Sequence, residues 1–520
     1  MDPVVATLLI LVLAIVAFVS NRLPLGVVAI GVSLALFFAG VLTLPQALAG
    51  FGDPTVLFIA ALFVVSESLD ATGITAWAGQ LVIGRAGTKR RMLLIVVSLL
   101  VAGLTALISV NGAVAALLPL VVVVASRAGI PTSQLLLPLA FAAHAGSMLL
   151  LTGTPVNIIV SEIAADNGGR AFGFFEFALV GIPLLLGTIA ILVLFSGRLL
   201  PSRNGALMPL DLVRHARLLR QQYSLNLETA VILGPTSGVT EVVVPPRSPL
   251  IGVRLCTGMA TPSGDLVLLA ARRGSEQLKG QDIVVQVGDV LLLQGTWDDL
   301  ARHTDNANVL VVDDPTRLRR SVPLGKGARR ALIVLAAMVL LLATGLVPPA
   351  VAALLAACAL VLTRTVSPAQ AYQSISWTTV VLVAGMIPLS TAFIQTGTAD
   401  LVAGWLLTFI GGAGPHIALL VLCVLTVVLG QLISNTATVL IVAPIAVSVA
   451  ATLDLSVQPF MMALTVAGAA AFLTPIATPA NLMVMEPGGY RFGDYWKLGL
   501  PLALLFIVVA VWYVPLILPF

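Results

Sequence analysis

The chain has 520 residues, of which 59% are hydrophobic and 10% charged, with a mean hydropathy of +1.08; this is too apolar for a soluble protein. The formal net charge of +4 says nothing of nucleic acid, because the placement of the basic residues matters more than their sum. Cys256, Cys358 and Cys423 are widely separated and the four histidines form no ligand motif, which leaves metalloenzyme and thiol chemistry unsupported.

In chain order, the apolar run Val4–Val19 follows Met1-Asp2-Pro3 without the basic segment of a secretory signal, and is expected as a retained first span. Runs of about 18–20 apolar residues predict further spans near 25–42, 54–77, 92–126, 134–165 and 176–197. A polar stretch from Arg198 to Lys326 then interrupts the pattern; with Arg329 and Arg330 at its edge it carries 17 of the 27 Lys and Arg residues. Within it, 198–223 form a basic connector around Arg214, Arg217 and Arg220, and 224–305 change to short alternating runs. Strands are predicted at Thr240–Val244, Leu266–Ala270, Ile283–Gln286 and Val290–Gln294, with a tight turn at Gly288-Asp289 and a closing helix starting in Asp298–Arg302. Residues 306–328 are expected as a linker. Apolar runs resume near 329–346, 349–363, 377–397, 416–450, 459–486 and 495–518.

The regions 1–197 and 329–520 resemble one another at a constant register. Asn111 in Val110-Asn111-Gly112 matches Asn435 in Ser434-Asn435-Thr436, and 435 − 111 = 324. Thr154-Pro155-Val156-Asn157 matches Thr478-Pro479-Ala480-Asn481, and Gly73 matches Gly397, at the same offset. Gly181-Ile182-Pro183-Leu184 and Gly499-Leu500-Pro501-Leu502 follow at a slightly shorter one. This is the mark of a duplicated membrane unit.

Charge sets the expected orientation. If 92–126 and 416–450 are re-entrant hairpins turning at their Asn residues, each half has five spans and the second half is inverted. With the N-terminus outside, Arg22, Arg85, Lys89, Arg90, Arg91, Arg127, Arg364, Arg491 and Lys497 face the cytoplasm and only Arg170 lies outside. The expected fold is an all-α polytopic membrane protein: an inverted repeat of five spans plus one re-entrant hairpin per half, with a small α/β cytoplasmic domain inserted between the halves. Both termini are expected outside a bacterial-type plasma (inner) membrane.

The Asn tips and Thr-Pro-x-Asn loops carry the chemistry. Non-helical backbone at membrane depth is tolerated where it is buried in protein or lines a cavity. A broken helix frees carbonyls for a cation, while the next helix offers N–H groups to an anion. Proline keeps carbonyls in the loops free of regular partners. Such polar residues can also simply join helices; two matched pairs favour a site over that alternative. Glu67 and Asp70, expected towards the cytoplasmic side, suit a functional or a scaffold role equally, Glu486 is expected at the interface, and His144 is expected to make an interhelical hydrogen bond.

On Ser434-Asn435-Thr436, Gly153-Thr154-Pro155-Val156-Asn157 and Thr474-Pro475-Ile476-Ala477-Thr478-Pro479-Ala480-Asn481, the sequence resembles the divalent anion/sodium symporter family, which includes dicarboxylate and sulfate transporters. The resemblance covers both membrane halves. It implies two co-transported sodium ions, one at Asn111 with Gly153 and its loop, the other at Asn435 with Ala477 and its loop. It implies an anion site drawn from Asn111, Gly112, Thr154, Pro155, Asn157, Ser434, Asn435, Thr436, Thr478, Pro479 and Asn481. No other cofactor or metal is implied. Val110 and Gly112 stand where the family usually has Ser and Thr, so two hydroxyls are missing from the first tip, which favours sulfate over a dicarboxylate. The insert, through Glu241, Ser248-Pro249-Leu250-Ile251-Gly252, Gly288-Asp289 and Gly295, resembles the TrkA-C (RCK-C) module, which implies pairing in a homodimer and a small anionic, nucleotide-like regulator. A folded spacer is the alternative.

A secondary symporter is thus the leading expectation. A cation/proton antiporter is disfavoured because no carboxylate pair sits beside the breaks. A transporter-derived sensor is disfavoured by the duplicated loops, and an enzyme by the absence of a Ser/His or His/Asp set at one depth.

Overall fold

The computed structural model of the chain describes residues 2–20, 22–75, 77–78, 89–204, 237–261, 265–274, 276–278, 283–304, 308–312, 327–410 and 414–520. They belong to two compact units, one of 1–67, 81–208 and 332–520, the other of 68–80 with 209–331. Arg85 and the basic connector at Arg214–Arg220 lie outside the described residues.

Among the described residues seven helices are long and apolar enough to cross a membrane: Pro3–Ser20, Leu44–Ala71, Arg90–Leu107, Ala178–Leu199, Trp377–Gln395, Asn435–Thr452 and Phe492–Ile517. The molecule is a mostly helical, polytopic membrane fold. The duplication read from the sequence recurs in its elements. Helices Pro3–Ser20, Leu25–Phe38 and Pro54–Ala71 have counterparts at Ala328–Thr344, Pro349–Leu362 and Trp377–Gln395, and all three pairs end 324 residues apart. The short helices between them are closed alike, Gln46 Oε1 accepting from Thr43 N at 2.9 Å and Gln370 Oε1 from Ser367 N at 3.0 Å. Gly73 and Gly397 both take the left-handed conformation, at φ 69° and 70°.

The halves cross over one another. Leu25–Phe38 packs on Trp377–Gln395, where the Ser33 hydroxyl donates to the Gly385 carbonyl at 2.8 Å, and Ala29 leaves no room for a side chain at Gly385. The matching pair uses Val64, buried with Val366 and Ala371 and packed by Ala357 and Val361. Uniformly apolar helices have no polar face to orient them, so small residues and buried hydroxyls select the contacts.

The second unit holds an antiparallel sheet ordered β4-β3-β6-β1-β7, formed by β1 (Ser237–Val243), β3 (Leu266–Arg273), β4 (Glu276–Leu278), β6 (Val290–Thr296) and β7 (Leu310–Val311). A smaller pair joins β2 (Arg254–Leu255) to β5 (Ile283–Val284). All four predicted strands are present, β5 two residues shorter than expected, and the helix Trp297–Thr304 closes the sheet. Val242, Leu268, Leu291, Leu293, Trp297 and Leu300 are buried together. The expected linker differs from the structure: Val242 and Val243 pair with Val311 and Leu310, so the sheet extends past residue 305. An edge strand of two residues carries too little alternation to be read from sequence.

Candidate functional site

The chain breaks just ahead of each tip Asn. The helix Arg90–Leu107 ends at Ile108, which is extended, and Ser109 caps the next helix, Val110–Ala128, accepting from Gly112 N at 3.2 Å. In the second half Pro415–Gly430 stops short of Ser434, which caps Asn435–Thr452 by accepting from Ala437 N at 3.3 Å. The predicted turn at the Asn residues is corrected accordingly: Asn435 is the first residue of its helix and Asn111 the second. The cause is the serine, whose side chain takes over an N–H that the new helix would leave unpaired. The first tip also keeps its capping hydroxyl, one residue earlier than the sequence pairing implied. Only the hydroxyl expected at Gly112 has no counterpart in that tip.

The Thr-Pro-x-Asn loops are built alike. Leu136–Gly146 and Val457–Ala469 end in breaks followed by single 3₁₀ turns, Leu151–Gly153 and Pro475–Ala477, before the short helices Pro155–Asp166 and Pro479–Met485. Asn157 Nδ2 donates to the carbonyls of Ser147 and Leu150 at 3.0 and 2.9 Å. Asn481 Nδ2 donates to those of Ala471 and Thr474 at 2.7 and 3.1 Å. Both acceptors shift by 324, as the asparagines do. Each break is sealed from behind by a helix whose glycine meets a loop carbonyl: a Cβ on Gly181 would lie 2.2 Å from Met148 O, and one on Gly499 the same distance from Phe472 O.

These contacts spend the amide nitrogens and leave oxygens. Asn157 Oδ1 and Asn435 Oδ1 are buried without a hydrogen-bond partner among the described residues. A buried acceptor facing no donor is costly unless something positive meets it, and hard cations take oxygen ligands. The helix starts at Val110 and Asn435 carry the complementary N–H groups suited to an anion, whereas the loop helices open on Pro155 and Pro479, which have none.

The structure joins the first tip to the first loop through a small cleft lined by Ser66, Leu107, Ser109, Thr152, Gly153 and Pro155, among others. The Thr152 hydroxyl ties the two by donating to Ala106 O at 3.0 Å. Asn111 itself is exposed, and Gly112, Thr154 and Pro155 are half-buried, whereas Gly153 and Asn157 are buried. In the second half Ser434, Asn435 and Thr436 are half-buried, Ala477, Thr478 and Asn481 buried and Pro479 exposed. Gln431 tethers that tip to its loop, accepting from Leu473 N at 3.0 Å. Sequence reasoning passed over Ser109 and Gln431; a polar side chain within one turn of each tip, in otherwise apolar sequence, was the available signal.

The halves meet at the loops. His144 Nε2 lies 3.2 Å from Thr478 Oγ1, Leu137 N donates to Tyr490 OH at 2.8 Å, and Phe141 packs edge-on against Phe472 with ring centroids 5.1 Å apart. Further out, Arg203 pairs with Asp494 at 3.0 Å while its N–H donates to Ser133 Oγ at 3.0 Å. Glu67 and Asp70 are half-buried at the end of Pro54–Ala71, and Glu486 is exposed.

A family model for citrate transporters matches residues 15–467 and 407–520. The uncharacterized transporter YfbS of Escherichia coli strain K12 is 31% identical over 600 aligned residues, covering 98% of each chain. The probable sodium/sulfate cotransporter 3 of Chlamydomonas reinhardtii is 30% identical over 286 residues, 52% of this chain and 31% of its own length. Among solved structures, the YdaH transporter of Alcanivorax borkumensis has a similar fold, with a TM-score of 0.53 over 100% of this chain and 98% of its own, at 14% identity.

Proposed function

The chain belongs to the citrate transporter family, and from that premise we propose that it is a sodium-coupled symporter of small divalent anions working by alternating access. Asn111 with Gly153 and its loop holds one sodium ion, and Asn435 with Ala477 and its loop the other. The anion lies between the tips, on the helix starts that carry Gly112, Thr154, Pro155, Ser434, Thr436, Thr478 and Pro479, with Asn157 and Asn481 shaping the loops. The observation that carries this reading is the pair of matched breaks, each with its amide nitrogens committed to loop carbonyls. Buried asparagine oxygens at the first loop and the second tip add the acceptors a cation needs.

Sulfate is the favoured substrate. Gly112 brings no hydroxyl to the first tip, and a compact anion can be held by backbone N–H groups and the hydroxyls of the second. Three Chlamydomonas reinhardtii relatives bear sodium/sulfate cotransporter names. The family description favours citrate as a second reading.

The halves form an inverted repeat of five spans and one re-entrant hairpin each, with both termini outside and the basic residues of short loops in the cytoplasm. The sheet domain is a cytoplasmic TrkA-C-like module that pairs in a homodimer and takes a small anionic regulator. Uptake of sulfate, succinate and citrate into proteoliposomes, with and without a sodium gradient, tests the function. Sodium-dependent sulfate uptake is expected; uptake of none of the three, or uptake indifferent to sodium, would overturn it.

A further inference from the structure

Gln431 occupies the break between Pro415–Gly430 and Asn435–Thr452 and is 7% exposed. Its Nε2 donates to Val427 O at 3.0 Å and to Ala470 O at 3.2 Å, while its Oε1 accepts from Leu473 N at 3.0 Å. Its own carbonyl accepts from the Thr474 hydroxyl at 3.3 Å. One residue thus joins the second tip to the broken stretch after Val457–Ala469. Asn481 holds Ala471 O and Thr474 O of that stretch from the other side. Backbone groups exposed by a break at membrane depth need such partners.

The first half does this differently. The residue 324 positions before Gln431 is Leu107. There the loop folds on itself, Leu149 N donating to Gly146 O at 3.1 Å, where the corresponding Leu473 N turns to Gln431. The link between the first tip and its loop comes from the loop side, through Thr152. Among the described residues, the second loop alone has its backbone spanned by a side chain of the facing break.

We propose that Gln431 is a positioning residue that holds the Ala470–Thr474 stretch against the second tip, so that Asn435 and the Ala477–Asn481 loop meet a cation already assembled. Gln431 acts through the loop and touches no ion. Removing it costs affinity for the cation, because the loop must then be ordered at each binding event. The transport readout of this proposal rests on the sodium-symport reading; its structural readout does not.

The full-length protein and Gln431→Met, which keeps the side chain's length and removes the amide, are compared by hydrogen exchange over residues 470–478 and by sodium titration of anion uptake in proteoliposomes. Exchange is expected to quicken by about tenfold, and the half-saturating sodium concentration to rise by about tenfold. Maximal uptake at saturating sodium stays within about twofold of wild type, a split that a general loss of folded protein does not produce. Unchanged exchange with an unchanged sodium requirement overturns the proposal, as does a fall in maximal uptake alone. Should Gln431→Met fail to fold, Gln431→Asn, whose amide is one methylene short, is read against the same outcomes. Wild-type uptake indifferent to sodium, with the exchange difference present, sinks the symport reading and leaves the positioning role standing.

Discussion

His144 reaches from the helix that leads into the first break to the residue that caps the second loop's helix, its Nε2 3.2 Å from Thr478 Oγ1. Thr478 Oγ1 also accepts from Asn481 N at 3.3 Å, so one hydroxyl connects the loop's cap to the opposite half of the molecule.

His144→Leu should therefore loosen the second loop from a distance. Losing a buried hydrogen bond and stranding part of the Thr478 hydroxyl costs about 1–3 kcal/mol. Thermal unfolding in detergent should fall and initial uptake with it, while His144→Gln, which can still donate, retains most of both. A leucine variant equal to wild type in both measurements would show that the contact carries no energy.

Asn157→Leu and Asn481→Leu should have closely similar consequences. Each amide satisfies two loop carbonyls, and each carbonyl left bare in a buried site costs about 1–3 kcal/mol. Uptake is expected to vanish in both and to fall steeply in the Asp variants, which fill the same volume but offer at most one donor where the amide has two. Retained transport in either one would mean that its loop needs no lock.

Asn111→Ala and Asn435→Ala test the ligand role rather than the scaffold. Neither side chain supports a loop, so folded protein should be recovered in wild-type amounts while coupled uptake is lost. The buried Oδ1 of Asn435 makes its replacement the more severe for sodium dependence. Wild-type sodium dependence in either variant removes that residue from its site.

The first tip gives a test of substrate choice. Ser109→Ala should cost about 1 kcal/mol through loss of the cap, and Val110→Ser should add little because Ser109 already fills that role. Gly112→Thr is the informative change. Gly112 is not among the left-handed glycines, so the backbone admits threonine. A new hydrogen bond to a carboxylate contributes about 1.5–3 kcal/mol, enough to move the succinate-to-sulfate uptake ratio about tenfold or more. A ratio that does not move would refute the argument for sulfate from the first tip.

In the sheet domain, Asp289 is fully buried and takes a paired contact from Arg273, at 2.7 and 2.8 Å, plus Gln286 N at 2.8 Å. Burial acts to raise its pKa, but the Arg273 contacts and the Gln286 N–H outweigh it and hold the carboxyl below the usual range. A depressed folded-state pKa means that the unfolded chain binds the proton more tightly. The pair therefore stabilises the domain fully above the unfolded value of about 3.9, and the contribution disappears as pH falls through the folded value. Protection factors for hydrogen exchange across β6 in the full-length protein should fall below about pH 4, and Asp289→Asn should lower them at neutral pH and flatten that dependence. An unchanged acid profile in Asp289→Asn would assign the effect to another group.

Much of this molecule could be read along one dimension. The offset of 324, the paired Asn tips, the Thr-Pro-x-Asn loops and the four main strands are properties of local residue order. Proline, glycine and asparagine interrupt apolar sequence wherever the backbone must leave a helix, and alternation marks a half-buried strand wherever it occurs. Spatial proximity needed the fold. Ser109, His144 and Gln431 owe their roles to partners chosen in three dimensions: Ser109 to where the helix actually begins, Gln431 to a backbone N–H 42 residues ahead, His144 to a hydroxyl 334 residues away. The same holds for the crossing of Leu25–Phe38 over Trp377–Gln395 and for β7, which joins the sheet only because β1 has a free edge. In helices apolar on every side, periodicity names no inward face. The partners of the few buried polar groups are decided by packing, where a missed hydrogen bond has no water to replace it.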